Sequence, residues 1–325
     1  MLQHVTRRAV LTIPALAGAA QAQPAWAPDR PIRIVVPYTA GGASDVTARL
    51  IGERLRARLG QPGIVENRPG ASGIIGTEAV ARSRPDGQTL AFVASSHVVN
   101  GAIFTSLPYD PIRDFAPVIQ ATTVQLVMVV PSSHPASTVA EFLAWARAQD
   151  GRAAYASSGN GSNPHLAAAD LLRRVGIRME HVPYRGSTAA HADLIAGRTA
   201  MMFDAYAAVQ PHVEANTLRM LAVAGAEPSR LLPGVPTVAD AAGVPGYAAP
   251  SWGCLLAPAN TPSAVVEALN AAVSAILAGD DVRERLAALG AEPVGGTPGA
   301  LLNLMQQEQD RLVALASALG IKESI

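Results

Sequence analysis

The feature that most constrains this chain is a repeated order: a short apolar run, a glycine-rich loop, then residues spaced for a helix. Ile32-Arg33-Ile34-Val35-Val36-Pro37 is β-rich and stopped by proline. Gly41-Gly42 follows, then Ser44 or Asp45 as a helix N-cap, then Val46, Leu50, Ile51, Leu55 and Leu59 at helical spacing. The order recurs. The spacing predicts a strand over 63–66 before a helix over 74–83, and a strand over 89–94 ending in a turn at Ser95-Ser96. Adjoining strands at 118–121 and 125–130 precede a helix over 139–149 and a strand over 153–156. The loop Ser157-Ser158-Gly159-Asn160-Gly161 leads into a helix over 166–175, then a strand over 180–183, a helix over 188–196 and a strand over 200–203. Strands at 218–223 and 253–257 bring the chain back, and helices over 262–278 and 298–319 cover it. Such alternation argues for an α/β fold with two parallel-rich sheets covered on both faces. A length of 325 residues exceeds one ordinary domain and fits two. The strand-to-strand joint near 121–125 and the return near Trp252-Gly253 divide the chain into domain I, residues 23–123 plus 250–325, and domain II, residues 124–249, with the crossing segments as a hinge.

Composition removes several function classes. The only lysine is Lys322, close to the C-terminus, so a Schiff-base lysine or a P-loop lysine has no credible place. One cysteine, Cys254, allows neither an internal disulfide nor a cysteine-built metal cluster. Basic and acidic residues balance at 25 each, so nothing global attracts nucleic acid or anionic lipid. No glycine fingerprint for a dinucleotide follows a strand, and no pair of His165, His181 and His191 has zinc-helix spacing with an acidic partner. No cofactor and no metal is expected.

The first 22 residues have the parts of a secretory signal. Arg7-Arg8 precede an apolar run from Ala9 to Ala20, and Ala20-Gln21-Ala22 offers small residues for cleavage after Ala22. The run is about 12 residues, short of the ~20 that span a bilayer. Thr6-Arg7-Arg8-Ala9-Val10-Leu11 also resembles a twin-arginine signal. The expected product is an exported, periplasmic protein.

Two loops carry chemical potential. In Tyr38-Thr39-Ala40-Gly41-Gly42-Ala43-Ser44-Asp45, glycines let backbone N–H groups approach a ligand, and the next helix offers unpaired donors and partial positive charge. That arrangement favours a carboxylate or phosphate. It reads equally as a tight, capped turn. Ser157 to His165 repeats the chemistry with hydroxyls, glycines and an imidazole inside a helix. Facing one another, the two would clamp an anion from both sides. Tyr184-Arg185-Gly186 after a strand is a ligand loop or an ordinary turn, and Asp204 ends a strand as a ligand contact or a solvated residue. Ser158, His165 and Asp204 also supply the parts of a hydrolase, although no Gly-x-Ser-x-Gly elbow occurs.

Val35-Val36-Pro37-Tyr38, Gly41-Gly42, Ser44-Asp45-Val46, Val65-Glu66-Asn67-Arg68-Pro69-Gly70-Ala71, Pro85-Asp86-Gly87 and Tyr109-Asp110-Pro111 together resemble the tripartite tricarboxylate transporter substrate receptors, or Bug family. The likeness continues through Ser158-Gly159-Asn160-Gly161, His181-Val182-Pro183-Tyr184-Arg185-Gly186, Leu221-Ala222-Val223, Val235-Pro236-Thr237, Pro245-Gly246-Tyr247, Trp252-Gly253 and Ala257-Pro258, over the whole mature chain. The resemblance implies a two-domain, hinged solute-binding fold of the Venus-flytrap, type II-like kind. It implies a periplasmic receptor, not an enzyme, that closes as a monomer on a small organic carboxylate and delivers it to membrane permease subunits. A ligand sensor for a signalling partner would read the same. The family's ligand contacts carry over to Tyr38, Ala40, Gly41, Gly42 and Asp45 and to Ser158, Gly159, Gly161 and His165, with Tyr184, Gly186 and Asp204 beside them. Two departures stand out: Thr39 and Ala40 replace prolines frequent in the family, and Asn216 replaces a glycine, which asparagine can do in a left-handed turn.

Overall fold

The computed structural model describes residues 26–322; the signal segment and its cleavage point lie outside them. The chain begins β1 (Ile32–Val36), α1 (Ala43–Leu59), β2 (Gly63–Asn67), α2 (Ile74–Ala81), β3 (Thr89–Ala94), α3 (Ser96–Ile103) and β4 (Phe115–Val124). It continues β5 (Leu126–Pro131), α4 (Val139–Ala148), β6 (Ala154–Ser157), α5 (Asn163–Val175), β7 (Glu180–Pro183), α6 (Ser187–Ile195), β8 (Met201–Ala205), α7 (Tyr206–Glu214), β9 (Leu218–Val223) and α8 (Val238–Ala242). It returns through β10 (Ser251–Pro258), α9 (Ser263–Leu277), α10 (Asp280–Ala287), β11 (Ala291–Gly295) and α11 (Pro298–Leu319).

Two sheets result, in the orders β11-β4-β10-β3-β1-β2 and β7-β6-β8-β5-β9. The parallel pairing that the alternation predicts is found where strand-helix-strand units run consecutively: β1 with β2 and β3, and β6 with β7 and β8. The other half of each sheet is antiparallel, because the strands where the chain crosses between the sheets run against their neighbours; each sheet with the helices packed on it forms a lobe, the first carrying β1 and the second β5. β10 pairs with β3 and β4, β11 with β4, and β5 with β8 and β9. The sheets are therefore mixed rather than mainly parallel.

Alternation of side chains explains why the strands are apolar on both faces. Ile32, Ile34 and Val36 of β1 pack with Leu55 of α1 and Leu269 and Val273 of α9. Val35 points the other way, to Ile74, Val98 and Leu312. In the second sheet Met128 and Val130 meet Phe142 and Leu171, whereas Val127 and Val129 meet Leu194 and Val209. Each such fully buried aliphatic side chain contributes about 2 kcal/mol of transfer free energy. α1 lies unusually close to β2, since a Cβ on Gly52 would sit 2.7 Å from the Gly63 carbonyl oxygen.

Several local expectations change. Ser95-Ser96 opens α3 rather than closing a turn, and α7, α8, α10 and β11 also lie where the spacing predicts no element. The N-cap of α1 is Gly42, not Ser44 or Asp45. Asn216 does adopt the left-handed conformation, at φ 52°. The lobes touch along α5 and α11. Leu166 of α5 is buried among Ile103, Trp252 and Leu312 of the first lobe. Asp170 accepts from Arg173 and Arg174, with Arg311 of α11 at 3.8 Å.

Candidate functional site

The loop between β1 and α1 is held from behind. The Asp45 carboxylate accepts from Gly41 N–H at 2.9 Å and from Asn67 Nδ2 at 2.9 Å. Arg49 donates to the same carboxylate through Nε at 3.1 Å and gives its Nη2 to Asn67 Oδ1 at 2.9 Å. Asn67 Nδ2 also reaches the Tyr38 carbonyl at 3.2 Å. Burial alone would raise the Asp45 pKa, but the bonds from Arg49, Gly41 and Asn67 outweigh it and hold the carboxyl below its usual range. Tyr38 is an anchor too: its hydroxyl accepts from Ala94 N–H at 3.0 Å and shares a 2.8 Å bond with Ser96 Oγ. Burial pushes that phenol's pKa up, so the ring stays neutral. Ala40, Gly41 and Gly42 are exposed, and no side chain caps α1. The first-turn amides, which a helix leaves without an internal partner, therefore remain available to a ligand.

The loop after β6 is folded on itself. Gly159 N–H donates to Ser157 Oγ at 3.2 Å, and Gly161 N–H donates to His165 Nδ1 at 3.0 Å. Ser162 caps α5 by accepting from His165 N–H. Gly159 and Gly161 take φ values of 148° and 67°, and a Cβ on Gly161 would sit 2.6 Å from Ile103 Cδ1 of the first lobe. The His165 ring stacks on His181 at 3.7 Å, and burial, then the neighbouring His181, lowers its pKa to about 4. His165 is thus neutral near pH 7, with the proton on Nε2. Tyr184 N–H and Gly186 N–H donate to the carbonyls of Ser157 and Ser158, tying the third loop to the second. The Tyr184 hydroxyl donates to Asp193, and burial, with Asp193 close by, pushes its pKa up to about 12.

The two glycine loops meet at Ser95-Ser96. Ser96 bonds Tyr38 at the root of the first loop, and Ser95 Oγ accepts from Asn163 Nδ2 at 2.5 Å at the root of the second. Beside the first turn of α1 a cavity of about 150 Å³ is lined by Ser44, Thr47, Phe92, Thr122, Ser251 and Ala291, among others. A larger groove of about 700 Å³ runs between Arg230, Arg283 and Glu292 but includes neither loop, so its size does not locate the site.

The parts of a hydrolase do not assemble. Asp204 is buried and bonded to His191 Nε2 at 2.9 Å, not to His165. His165 Nδ1 is occupied by an amide, so no carboxylate orients the ring. The close Ser–His pair is instead Ser157 with His181, at 2.7 Å, but Ser157 donates its proton to the Gly159 carbonyl. Among the described residues, no group of three or more His, Cys, Asp or Glu could hold a metal ion. Asn67 and Arg49, which hold the first loop, escape sequence reasoning as site residues; only the Val65 to Ala71 motif drew attention to Asn67.

The family model described as the tripartite tricarboxylate transporter family receptor matches residues 47–321. The UPF0065 protein in the tcbD-tcbE intergenic region of Pseudomonas sp. is 40% identical over 314 residues, 95% of this chain and 94% of that protein. The structure of R. palustris Rpa4515 with adipate matches with a TM-score of 0.78 at 35% identity, covering 92% of this chain and 99% of that one. MatC of Rhodopseudomonas palustris, with bound malate, matches with a TM-score of 0.73 at 32% identity, covering 89% and 99%. This chain therefore belongs to the tripartite tricarboxylate transporter receptor family, whose members are substrate-binding receptors and not enzymes.

Proposed function

We propose that the protein is a monomeric periplasmic receptor that closes on a small carboxylate-bearing organic anion and delivers it to the permease subunits of a tripartite transporter. The observation that carries this reading is the uncapped first turn of α1, held open by Asp45 and Asn67 and linked through Ser95-Ser96 to the second glycine loop. Donors of that kind suit a carboxylate, and two structural relatives were solved with adipate and with malate.

In this reading Ala40, Gly41 and Gly42 present the first lobe's face to the ligand, and Ser158, Gly159 and Gly161 present the second. Tyr184 and Gly186 line the second lobe's rim, whereas Asp204 is buried against His191 and offers the ligand no free carboxylate. Tyr38, Asp45 and His165 act on the ligand through the loops that they fix. Domain I comprises residues 23–123 plus 250–325 and domain II residues 124–249, joined by hinges at Gln125, between β4 and β5, and at Pro250, before β10. Export uses the N-terminal signal with cleavage after Ala22.

A thermal-shift screen of dicarboxylates, tricarboxylates, acidic amino acids and aromatic acids tests the proposal. Stoichiometric binding with a raised melting temperature and no turnover of carboxylate esters is expected. Turnover, or the absence of any stabilising acid, would reject it.

A further inference from the structure

Asp45 sets a problem for anion binding at α1. Its carboxylate lies in the first turn of the helix whose amides would attract the ligand, and its side chain is only 4% exposed. A negative charge there stabilises the helix, yet it also occupies Gly41 N–H and repels an incoming carboxylate. The acid behaves as an internal stand-in for the ligand.

We propose that Arg49 is a positioning residue that cancels the charge of Asp45, so that the loop keeps its shape while the helix end stays attractive to an anion. This rests on the receptor reading above. Arg49 stands one turn along α1 and grips both oxygens, Oδ2 through Nε at 3.1 Å and Oδ1 through Nη2 at 3.0 Å. Such a two-pronged grip is specific to a guanidinium. Asn67 closes the ring from β2 by donating to Asp45 and accepting from Arg49. Nearby charges do not compete for this role, since Glu66 of β2 pairs with Arg33 of β1 and with Arg68. The Arg49 side chain is itself 46% exposed, so it is not held there as core packing.

The experiment compares wild type, Arg49→Gln, Arg49→Lys, Asp45→Asn and the Asp45→Asn/Arg49→Gln double variant. Each is titrated calorimetrically at pH 7.5 with malate, adipate, citrate, glutamate and benzoate. Arg49→Gln is expected to bind the wild type's best acid about tenfold more weakly. The double variant should return to within about threefold of wild type, because asparagine still accepts from Gly41 without the charge. A merely structural arginine would not be rescued by removing its acidic partner. Wild-type affinity in Arg49→Gln, or a double variant as weak as Arg49→Gln, would overturn the proposal. Should Arg49→Gln fail to fold, Arg49→Lys decides: near wild-type binding supports charge cancellation, and a tenfold loss refutes it. If wild type binds none of the five acids, the receptor reading fails instead. The ¹³C titration of the Asp45 carboxyl then judges the pair alone: a midpoint raised in Arg49→Gln, or in Arg49→Ala should the glutamine variant not fold, is in favour, and an unmoved midpoint is against.

Discussion

Replacing Gly42 with valine separates a binding loop from a structural turn. Gly42 sits at φ −76° and ψ 167°, an extended conformation open to any residue, and an added Cβ meets nothing nearer than the Thr39 carbonyl oxygen at 3.8 Å. The fold therefore has room for the side chain. Losing a glycine N-cap costs about 1 kcal/mol or less, and in a chain of this size that lowers the melting temperature by about 1–2 °C. The isopropyl group, however, would stand over the first-turn amides of α1. If it blocks two hydrogen bonds to a carboxylate, each contributing roughly 1.5 kcal/mol, the loss is about 3 kcal/mol, or about a hundredfold in Kd. Calorimetric titration with the acid that wild type binds best, beside the unliganded melting curve, reads both quantities. Wild-type affinity in a Gly42→Val protein with a lowered melting temperature would show that the loop only turns the chain.

Other expectations follow from packing and charge. Gly52→Ala should do the reverse of Gly42→Val, because its Cβ would be driven to 2.7 Å from the Gly63 carbonyl oxygen; a stability loss of roughly 1–3 kcal/mol with unchanged affinity is expected in denaturant titration, and undiminished stability would contradict the close approach. Burial holds His97 and His165 at pKa values of about 4, below the unfolded value of about 6.5, so each stabilises the fold above pH ~6.5 and loses that contribution as pH falls toward 4. Together they should make unfolding free energy fall steeply between pH 6.5 and 4 by roughly 2–3 kcal/mol per histidine, and a His97→Gln/His165→Asn protein with the same slope as wild type would refute this. Arg311→Ala removes the clamp on Glu308 and the 3.8 Å approach to Asp170 across the lobes. A loss of roughly 1–3 kcal/mol and a larger radius of gyration without ligand are expected, and an unchanged scattering curve would count against an interlobe role.

The alternation of strands and helices was legible because the central strands are buried on both faces and read as unbroken apolar runs, as Ile34 to Val36 and Val127 to Val130 do. Strand direction was not legible, since an apolar run looks the same whichever way its neighbour points; β10 against β3 is the case in point. Edge strand β11 carries Pro293 and an exposed Val294, which hide it. α3 was concealed by Gly101, which packs against Pro111 and Gln309 rather than ending the helix. At the site, the glycine loops announced themselves, but their orientation did not. Only the structure shows Asp45 and His165 turned inward onto Gly41 and Gly161, because those bonds depend on helix phase and on Asn67 arriving from β2. Asp204, which the sequence leaves open as a ligand contact or a solvated residue, is neither: it is buried against His191.

The central claim is that a ligand carboxylate is what the protein grips. Calorimetric titration of wild type with the best acid and with its carboxamide analogue tests this most directly. One-site binding of the acid is expected, with at least about a hundredfold weaker binding of the neutral amide, which loses its charge-assisted hydrogen bonds to the α1 amides. Equal affinity for acid and amide would contradict it.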